Sequence, residues 1–418
     1  MTAIVPPPPL GVAHLTTVDS SLRFLLFPQL QAVRVAGGTV YGISAPGPWV
    51  EGLQHDGVIH LALGSSTRSM DPRADLRAAV ELWRLLRHHD IDVLHTHNPK
   101  PGLYGRVVGR LAGVPVVVNT VHGLYATPTD GALKRAVVYG LEAVASRFSD
   151  AELVQNPEDL ELMGRLRLAA AHKLRLLGNG VDLDRFDPAH IDEAERAAAR
   201  AEIGAGPDSI VVGTVGRMVV EKGYREVFAA AERLDERFVV VAIGPSDPAK
   251  ADGIGHDEVE RARARGVRVL GERLDLPRLY AAMDLFVLAS HREGFPRAAM
   301  EAAAMGLPIV TTDIRGCRQV VADGDNGLLV PVGDAEALAA AIEELGSDTD
   351  RRQAMGAAAR RRALERFDER RVVDIVMDTY ARAWSRRGAR RRARLDGRRG
   401  AARLSSKQRR SGADSSAP

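Results

Sequence analysis

The sequence predicts an α/β protein made of two Rossmann-like, doubly wound domains that face a cleft. Three observations lead to this prediction. The chain has 418 residues, 45% of them hydrophobic, which exceeds the roughly 250 to 300 residues that a single hydrophobic core serves. Short apolar runs alternate with helical patterns, as in parallel sheets whose strands are joined by helices. The alternation occurs in both halves of the chain, so we expect two sheets of the same kind.

In the first half, strands are predicted from short apolar runs that end in turn residues. These runs are residues 12–18, 93–95, 116–119 and 174–177. They belong to a first domain that we place at residues 1–180, with a hinge to the second domain near residues 180–188.

The second half repeats the pattern over a domain placed at residues 181–366. Its predicted strands are residues 210–215, 238–243, 268–270, 285–289 and 309–312, and its predicted helices are residues 221–234, 276–282, 297–305 and 335–345. A closing helix is predicted for residues 367–385, because Val372, Val376 and Tyr380 recur at helical spacing. Its apolar stripe needs a partner, and we expect the helix to cross back to the first domain.

Positive charge is concentrated at the end of the sequence. Residues 386–418 hold twelve basic and two acidic residues, so the rest of the chain carries a net charge of −7 although the total is +3. Such a segment is expected to be disordered and attracted to anionic surfaces, with membrane phospholipid and nucleic acid as candidate partners. We expect peripheral contact with an anionic membrane and no specific nucleic acid; a solvated segment without a function is the alternative. Residues 22–30 and 134–144 could present apolar and basic faces to the same membrane, or could pack in the core.

The composition also bears on the compartment. The amino terminus has no cationic stretch before its apolar residues and contains four prolines, Pro6 to Pro9, which argues against a secretory signal. No apolar run approaches the roughly 18 residues of a membrane span. The single cysteine, Cys317, can form no internal disulfide. We therefore expect a cytoplasmic protein, with any membrane contact at the inner face of the cell membrane.

The most informative segment follows the fourth predicted strand of the second half. Glu293 lies in the loop, Pro296 suits the first turn of the next helix, and Glu301 lies about one and a half turns into that helix. Ligands bind at the carboxyl ends of parallel strands, and the free amides of a helix start can hold a diphosphate. Carboxylates accept bonds from sugar or ribose hydroxyls. We predict that both glutamates border one donor pocket, with Gly294 and Phe295.

A second cluster follows the first predicted strand of the second half. It contains Gly216, Arg217 and Lys222. Glycine permits close backbone approach, and two cations this close in sequence can meet one diphosphate. Arg217 would supply a forked donor and Lys222 a point charge, which together offset the negative charge of a leaving group.

These motifs resemble the second-domain signature of retaining glycosyltransferases of family 4, whose two-domain fold is called GT-B. Residues 178–182 resemble the interdomain turn of the family, residues 216–223 its diphosphate site, and Glu293 and Glu301 its paired glutamates. The resemblance implies that Arg217 and Lys222 hold the nucleotide diphosphate, that Glu293 contacts the donor sugar and that Glu301 binds the ribose.

In the first half, residues 92–105 and 119–125 look like the acceptor-side loops of bacterial family members that build polysaccharide or lipid-linked oligosaccharide. By that resemblance, His122 lies near the transferring sugar, where it would orient it or carry a proton. A packed structural histidine is the alternative. His97 and Lys100, and with them His95, are predicted to contact the acceptor.

The sequence departs from the family after the first strand. Many members carry a glycine-rich loop there, whereas this chain reads Asp19-Ser20-Ser21. We predict that Ser20 and Ser21 contact the acceptor side in place of a glycine-rich backbone.

The reaction implied by the resemblance moves a hexosyl or N-acetylhexosaminyl unit from a nucleotide sugar, UDP-linked, to a glycan or polyprenyl-diphosphate-linked acceptor in cell-surface polysaccharide synthesis. The alternatives are a sugar-nucleotide 2-epimerase and a noncatalytic nucleotide-sugar-binding protein. A nicotinamide dehydrogenase is disfavoured, since no Gly-x-Gly-x-x-Gly opens a helix after a strand. Two Asp-x-Asp triplets, residues 182–184 and 323–325, fall in predicted turns. We therefore predict metal-independent transfer without a cofactor.

Overall fold

A computed structural model describes residues 10–67, 71–97, 99–127, 130–246 and 252–388. These residues form a seven-stranded and a six-stranded parallel sheet, so the predicted fold class is confirmed. The strand orders are β3-β2-β1-β4-β5-β6-β7 and β10-β9-β8-β11-β12-β13, each reversing direction beside its first strand. Pro6 to Pro9 and the basic segment from residue 389 onward lie outside the described ranges.

The strands of the first sheet are β1 Gly11–Val18, β2 Thr39–Ala45, β3 Ile59–Ala62, β4 Val93–Thr96, β5 Val116–Val121, β6 Ala151–Val154 and β7 Leu174–Leu176. Those of the second are β8 Ile210–Val215, β9 Phe238–Ile243, β10 Arg268–Gly271, β11 Leu285–Leu288, β12 Ile309–Thr312 and β13 Gly327–Val330. Neighbouring strands within each sheet run parallel, and helices join them.

The helices of the first half are α1 Asp19–Phe24, α2 Phe27–Val35, α3 Val50–His55, α4 Pro72–His88, α5 Pro99–Leu111, α6 Ala132–Ala145 and α7 Pro157–Arg165. Those of the second half are α8 Glu193–Glu202, α9 Tyr224–Ala231, α10 His256–Ala264, α11 Leu276–Ala281, α12 Arg297–Ala304, α13 Cys317–Val320, α14 Ala335–Ser347 and α15 Thr349–Arg366. A last helix, α16, covers residues 369–388 of the described chain.

One predicted boundary needs correction. The helix expected over residues 221–234 is a 3-10 turn, Val220–Lys222, followed by α9, because Gly223 adopts a φ of +74° that interrupts a right-handed helix. The hinge near residues 180–188 stays a prediction. Leu177 packs in the core of the first sheet, and Val181 already belongs to the core of the second.

The last helix completes the core of the first sheet. Val372, Val376 and Tyr380 are buried in one apolar cluster with Leu10 and Leu153. The helical stripe predicted from the sequence therefore has the first domain as its partner. The chain returns through a pairing of two crossing segments, in which the Val181 amide donates to the Phe367 carbonyl at 2.8 Å.

None of the described helices combines the length and the apolar content that a membrane crossing requires.

Candidate active site

The turn after β8 is shaped by glycines. Gly216 has a φ of +156°, and Gly244, after the neighbouring strand β9, has a φ of +146° with its α-hydrogens against the Gly216 carbonyl. A side chain at Gly244 would collide with that carbonyl, so the two strand ends approach closely only with glycine there. The Tyr224 hydroxyl donates to the Gly216 carbonyl at 2.6 Å. This packing fixes the turn that carries Arg217, a half-buried residue.

Lys222 and Glu293 meet between the ends of two adjacent strands, β8 and β11. Lys222 Nζ lies 2.5 Å from Glu293 Oε1, and the Ser290 hydroxyl donates to the same oxygen at 2.9 Å. The side chains are 25% and 10% exposed, so the pair is partly shielded from water and its attraction is stronger than on an open surface. A cation and a carboxylate are thus held side by side at the edge of the sheet where ligands of α/β proteins bind.

Glu301 lies deeper, on α12. It is buried, accepts a hydrogen bond from the Tyr280 hydroxyl at 3.1 Å, and lies 3.3 Å from Nε of Arg297. Burial raises the pKa of Glu301, and the Arg297 guanidinium partly offsets that rise. Arg297 also reaches Glu369 of α16, at 3.4 Å. Pro296 is the residue immediately before the helix rather than part of its first turn.

The two halves touch through glycine backbone. Gly294 packs against the carbonyl of His122, and Gly123, with a φ of +109°, packs against Gly294. Asn156 Nδ2 donates to the Gly294 carbonyl at 3.1 Å, and Asn179 Nδ2 donates to the Phe295 carbonyl at 3.0 Å. The loop that carries Glu293 is therefore held directly against the loop that carries His122.

His122 is half-buried and reaches inward to other histidines. Its Nε2 lies 3.1 Å from His97 Nδ1, and His97 Nε2 lies 3.0 Å from His14 Nδ1. Burial lowers the pKa of His122 to about 4, against a small rise from a hydrogen bond with Gln155. His122 is therefore a neutral imidazole at neutral pH. Such a ring can donate from one nitrogen and accept at the other.

The positions of His95 and His97 correct the predicted acceptor contacts. Both rings are fully buried. Both nitrogens of His97 face other histidines, and those of His95 lie 2.6 Å from the Tyr380 hydroxyl and 2.7 Å from the Thr120 hydroxyl. Neither ring has a nitrogen left for an acceptor.

Lys100, Ser20 and Ser21 lie at the same edge of the first sheet. Lys100 Nζ is 2.6 Å from Asp75 Oδ1 and donates to the Thr67 carbonyl at 3.0 Å. Ser20 and Ser21 are half-buried at the start of α1. The buried Asp19 carboxylate accepts the amide of Ser20, and also that of the loop residue Trp49, at 2.8 Å each. Asp19 therefore ties the Trp49 loop to the start of α1, and the serine contacts with an acceptor stay a prediction.

A small cavity opens between the two halves. It is lined by Leu25, Leu26, Pro28, Gln29, His122, Gln155, Asn179, Gly180, Arg297, Glu369, Val372 and Val373. Residues from both domains and from α16 thus share one hollow. Neither Glu293 nor Glu301 lines this cavity, so the expectation that the two border one donor pocket stays a prediction.

Charged contacts that the sequence analysis missed bridge the halves beside this site. Arg315 pairs with the buried Asp159 and donates to the Leu124 carbonyl at 3.2 Å. Arg318 pairs with Glu158 at 2.9 Å, and the Arg292 guanidinium lies 4.4 Å from the centre of the Tyr125 ring. Nothing in the local pattern around residues 158 and 315 signals such a pairing, because the partners come from different domains.

Comparison with known proteins places this site in context. Residues 195–362 match the family described as Glycosyl transferases group 1, and residues 31–185 match Glycosyltransferase Family 4. A D-inositol 3-phosphate glycosyltransferase of Xylanimonas cellulosilytica is 33% identical over 311 residues, which cover 72% of this chain and 74% of the relative.

Two further similarities extend the comparison. The UDP-Gal:alpha-D-GlcNAc-diphosphoundecaprenol alpha-1,3-galactosyltransferase of Escherichia coli is 29% identical over 73% of this chain and 79% of its own length. The fold resembles the crystal structure of Anabaena Alr3699/HepE in complex with UDP and glucose, with a TM-score of 0.73 and 18% identity over 89% of this chain and 99% of that one.

Proposed function

This chain belongs to the glycosyltransferases of group 1 and family 4, and from that premise we propose that it transfers a hexosyl or N-acetylhexosaminyl unit from a UDP-sugar to a polyprenyl-diphosphate-linked or other glycan acceptor. The observation that carries the proposal is the Lys222–Glu293 pair, held against the His122 loop by the contact between Gly294 and Gly123. Charge for a diphosphate and a neutral imidazole thus meet across one cleft.

The second domain, residues 181–366, would hold the donor. The Lys222 ammonium and the Arg217 guanidinium would bind the diphosphate and stabilise the charge that develops as the bond to the sugar breaks. Gly216 would let the phosphates approach the backbone. Glu293 would exchange its ion pair with Lys222 for hydrogen bonds from the sugar hydroxyls. Glu301 would bind the ribose.

The first domain, residues 1–180, would hold the acceptor. His122 lines the cavity between the halves, and a neutral imidazole there can orient the transferring sugar or accept a proton from the attacking hydroxyl. Retention of the anomeric configuration is part of the proposal. It rests on the family resemblance, since no described side chain near Glu293 or His122 is placed as an evident covalent nucleophile.

Metal-independent transfer is also part of the proposal. Its support is that Lys222 already supplies a cation at the proposed diphosphate position. The Asp182 carboxylate accepts the amides of Asp184 and Arg185, which fits a turn rather than a metal ligand. Activity lost in chelator and restored by manganese would contradict this part.

We place the enzyme at the cytoplasmic face of an anionic membrane. The support is the outer face of α6, where Leu133, Val137, Leu141 and Val144 are between 48% and 79% exposed, next to the exposed Lys134. Bilayer burial would remove this apolar surface from water, and basic groups nearby add attraction to anionic lipid.

Residues 22–30 do not form a companion face, and the alternative of core packing holds for them. Leu22, Leu26 and Leu30 are fully buried in the core of the first sheet. Arg23 pairs with Asp56 at 2.5 Å. Only α6 therefore remains as an apolar membrane face among those we predicted.

The transfer proposal is tested with the purified full-length protein and a panel of UDP-, GDP- and ADP-sugars, with and without lipid extract, by measuring released nucleoside diphosphate. We expect acceptor-dependent UDP release that Glu293→Gln abolishes. Glu258→Gln, which alters an exposed ion pair of the same domain, is the matched control. Tight donor binding without turnover would favour the noncatalytic binding protein instead.

The membrane proposal is tested by sedimentation with vesicles that contain acidic phospholipid. The double variant Val137→Ser, Leu141→Ser should bind less. Leu274→Ser, which removes an apolar side chain 62% exposed on the second domain, should bind like the natural chain. Equal binding by all three would refute the assignment to α6.

A further inference from the structure

Four histidines and a tyrosine form one continuous hydrogen-bonded chain inside the first domain. From the cleft inward, the members are His122, His97, His14, Tyr380 and His95, and the chain ends on the Thr120 hydroxyl. The successive separations are 3.1, 3.0, 3.2, 2.6 and 2.7 Å. All are hydrogen-bond distances. His14, His95, His97 and Tyr380 are fully buried.

The buried members of the chain come from three elements. His14 lies on β1, His95 on β4, His97 follows β4, and Tyr380 lies on α16. Each imidazole uses both nitrogens within this chain, apart from the outermost, His122, whose second side bonds Gln155. Burial lowers the pKa of His14 to about 3 and those of His95 and His97 well below the usual value. The rings are therefore neutral, and each has one N–H and one bare nitrogen.

Neutral rings leave two complete arrangements of protons. In one, the Tyr380 hydroxyl donates to His14 Nε2 and accepts from His95 Nδ1, and each imidazole carries its proton on Nδ1. In the other, every bond is reversed and each imidazole carries its proton on Nε2. At a contact between two rings, the opposite tautomer would set two lone pairs or two N–H groups face to face. If both His14 and His95 donated to the Tyr380 oxygen, the hydroxyl proton would have no partner within this chain. The tautomers of all four rings are thus tied together as long as every donor is paired.

We propose that the Tyr380 hydroxyl on the last helix holds the ring orientation of His122 and couples its tautomer to that of His95 through His14 and His97, which act as positioning residues. The proposal rests on the proposed function, in which His122 faces the transferring sugar. It assigns a role to three buried polar groups that the transfer mechanism does not otherwise use. It also explains why His97, next to the acceptor side in sequence, turns away from the cleft.

Metal binding was the competing interpretation of the same cluster. One ring nitrogen from each of His14, His95 and His97 lies within 4.8 Å of the others. Two nitrogens that share a tetrahedral zinc at 2.0–2.1 Å are about 3.3 Å apart, whereas the His14 and His97 nitrogens are 3.0 Å apart and face each other. Both His95 nitrogens lie against hydroxyl groups. The distances favour hydrogen bonds.

The first test is spectroscopic and does not depend on activity. The full chain is labelled with ring-¹⁵N histidine, and the tautomers are assigned from long-range proton–nitrogen correlations. We expect His14, His95, His97 and His122 to share one tautomer. In Tyr380→Phe, His95 loses its link to the other three, and the His122 signals shift. Tyr41→Phe, which removes a hydroxyl from a buried tyrosine of the same sheet, should leave them unchanged.

The second test is kinetic. Tyr380→Phe should lower kcat about fivefold, as for the loss of one neutral hydrogen bond, with the donor KM unchanged because the donor binds on the other domain. His97→Leu should lower kcat further, and His97→Gln, which keeps a donor and an acceptor, should restore part of it. Tyr41→Phe again serves as the control.

The outcomes separate this inference from the proposed function. Mixed tautomers in the natural protein would contradict the proposed hydrogen-bonded chain of side chains. A Tyr380→Phe variant with unchanged His122 signals and unchanged kcat would contradict it as well. Stoichiometric zinc in the purified protein would overturn it as well. If the natural protein turns over no donor at all, the proposed function fails, while the spectra still decide whether the chain exists.

Discussion

On the first sheet, the cleft residue His122 is hydrogen-bonded to buried neutral histidines behind it. On the second sheet, the cleft is lined by ion pairs. His122 and His97 carry no charge at neutral pH, and burial is the main cause. Lys222 and Glu293 are 2.5 Å apart and partly open to solvent. On the second sheet, a phosphate can replace Glu293 as the partner of Lys222, because the ammonium is already paired with an anion there. The neutral side offers shape and directed hydrogen bonds. The two sheets share a topology, so the difference lies in their loops.

The largest effect should come from removing charge on the second sheet. Lys222→Met is expected to lower kcat/KM by about 10³-fold, because the cation stabilises charge that develops in the transition state. His122→Asn on the first sheet should cost about 10²-fold. Initial rates at several UDP-sugar concentrations measure both losses. Arg225→Met, in an exposed ion pair with Glu258, is the control, and equal losses at Lys222 and His122 would remove the contrast between the sheets.

A second change tests whether the two edges must touch. A methyl group at Gly294 would collide with the His122 carbonyl, so Gly294→Ala should hold the edges apart. Misplacement by about 1 Å can cost on the order of 10²-fold in rate. We expect the reaction rate to fall by about 10- to 100-fold. We also expect a larger radius of gyration in solution scattering.

Gly140→Ala is the matched control for this change, since a methyl group there meets open space. It should leave activity and radius unchanged. A fully active Gly294→Ala variant of natural radius would show that the reaction does not require this contact.

The smallest effect concerns the pH dependence of stability. In the unfolded chain a histidine pKa is about 6.5, and in the folded chain that of His14 is lowered to about 3 and that of His122 to about 4. Between about pH 6 and 4, these imidazole rings bind protons in the unfolded state and remain neutral in the folded state. The free energy of unfolding therefore falls as the pH falls, by up to about 1.4 kcal/mol per pH unit for each such ring.

Urea unfolding at pH 7, 6 and 5 measures this slope, and His14→Gln should reduce it by about 1.4 kcal/mol per pH unit. His88→Gln, an exposed histidine on α4, should leave it unchanged. The second sheet acts in the opposite sense, since burial raises the pKa of Glu301 and a raised carboxyl pKa favours the folded state as the pH falls. An unchanged slope in His14→Gln would mean that the ring takes up protons in the folded protein.

The sequence was informative where chemistry is local. Strands β8, β9 and β12 were predicted with the bounds that the structure has, because each is a buried apolar run between turn residues. Lys222 and Glu293 were each assigned to the donor site because both follow strands of the second half. Four strands were not assigned. Among them, Thr39–Ala45 contains a glycine and a serine within its run, which weakens the apolar pattern.

The rest of the site depends on contacts between distant parts of the chain. Tyr380 is 285 residues from His95 and 366 from His14, and Arg315 is 156 from Asp159. No periodicity within a window of sequence carries such information. His97 was interpreted as an acceptor contact for this reason. Its hydrogen-bond partners come from β1 and from the His122 loop, which are distant from it in sequence.

The last helix has a consequence for how the protein is made. Core residues between Leu10 and Leu177 pack against Val372, Val376 and Ala383, which the ribosome adds nearly 200 residues later. At about 5 to 20 residues per second, that delay is on the order of 10 to 40 s. During this delay, the apolar surface of the first domain that the last helix will cover is exposed to water. Chaperones that bind exposed apolar surface should therefore meet this chain early, and a chain cut before residue 369 should aggregate.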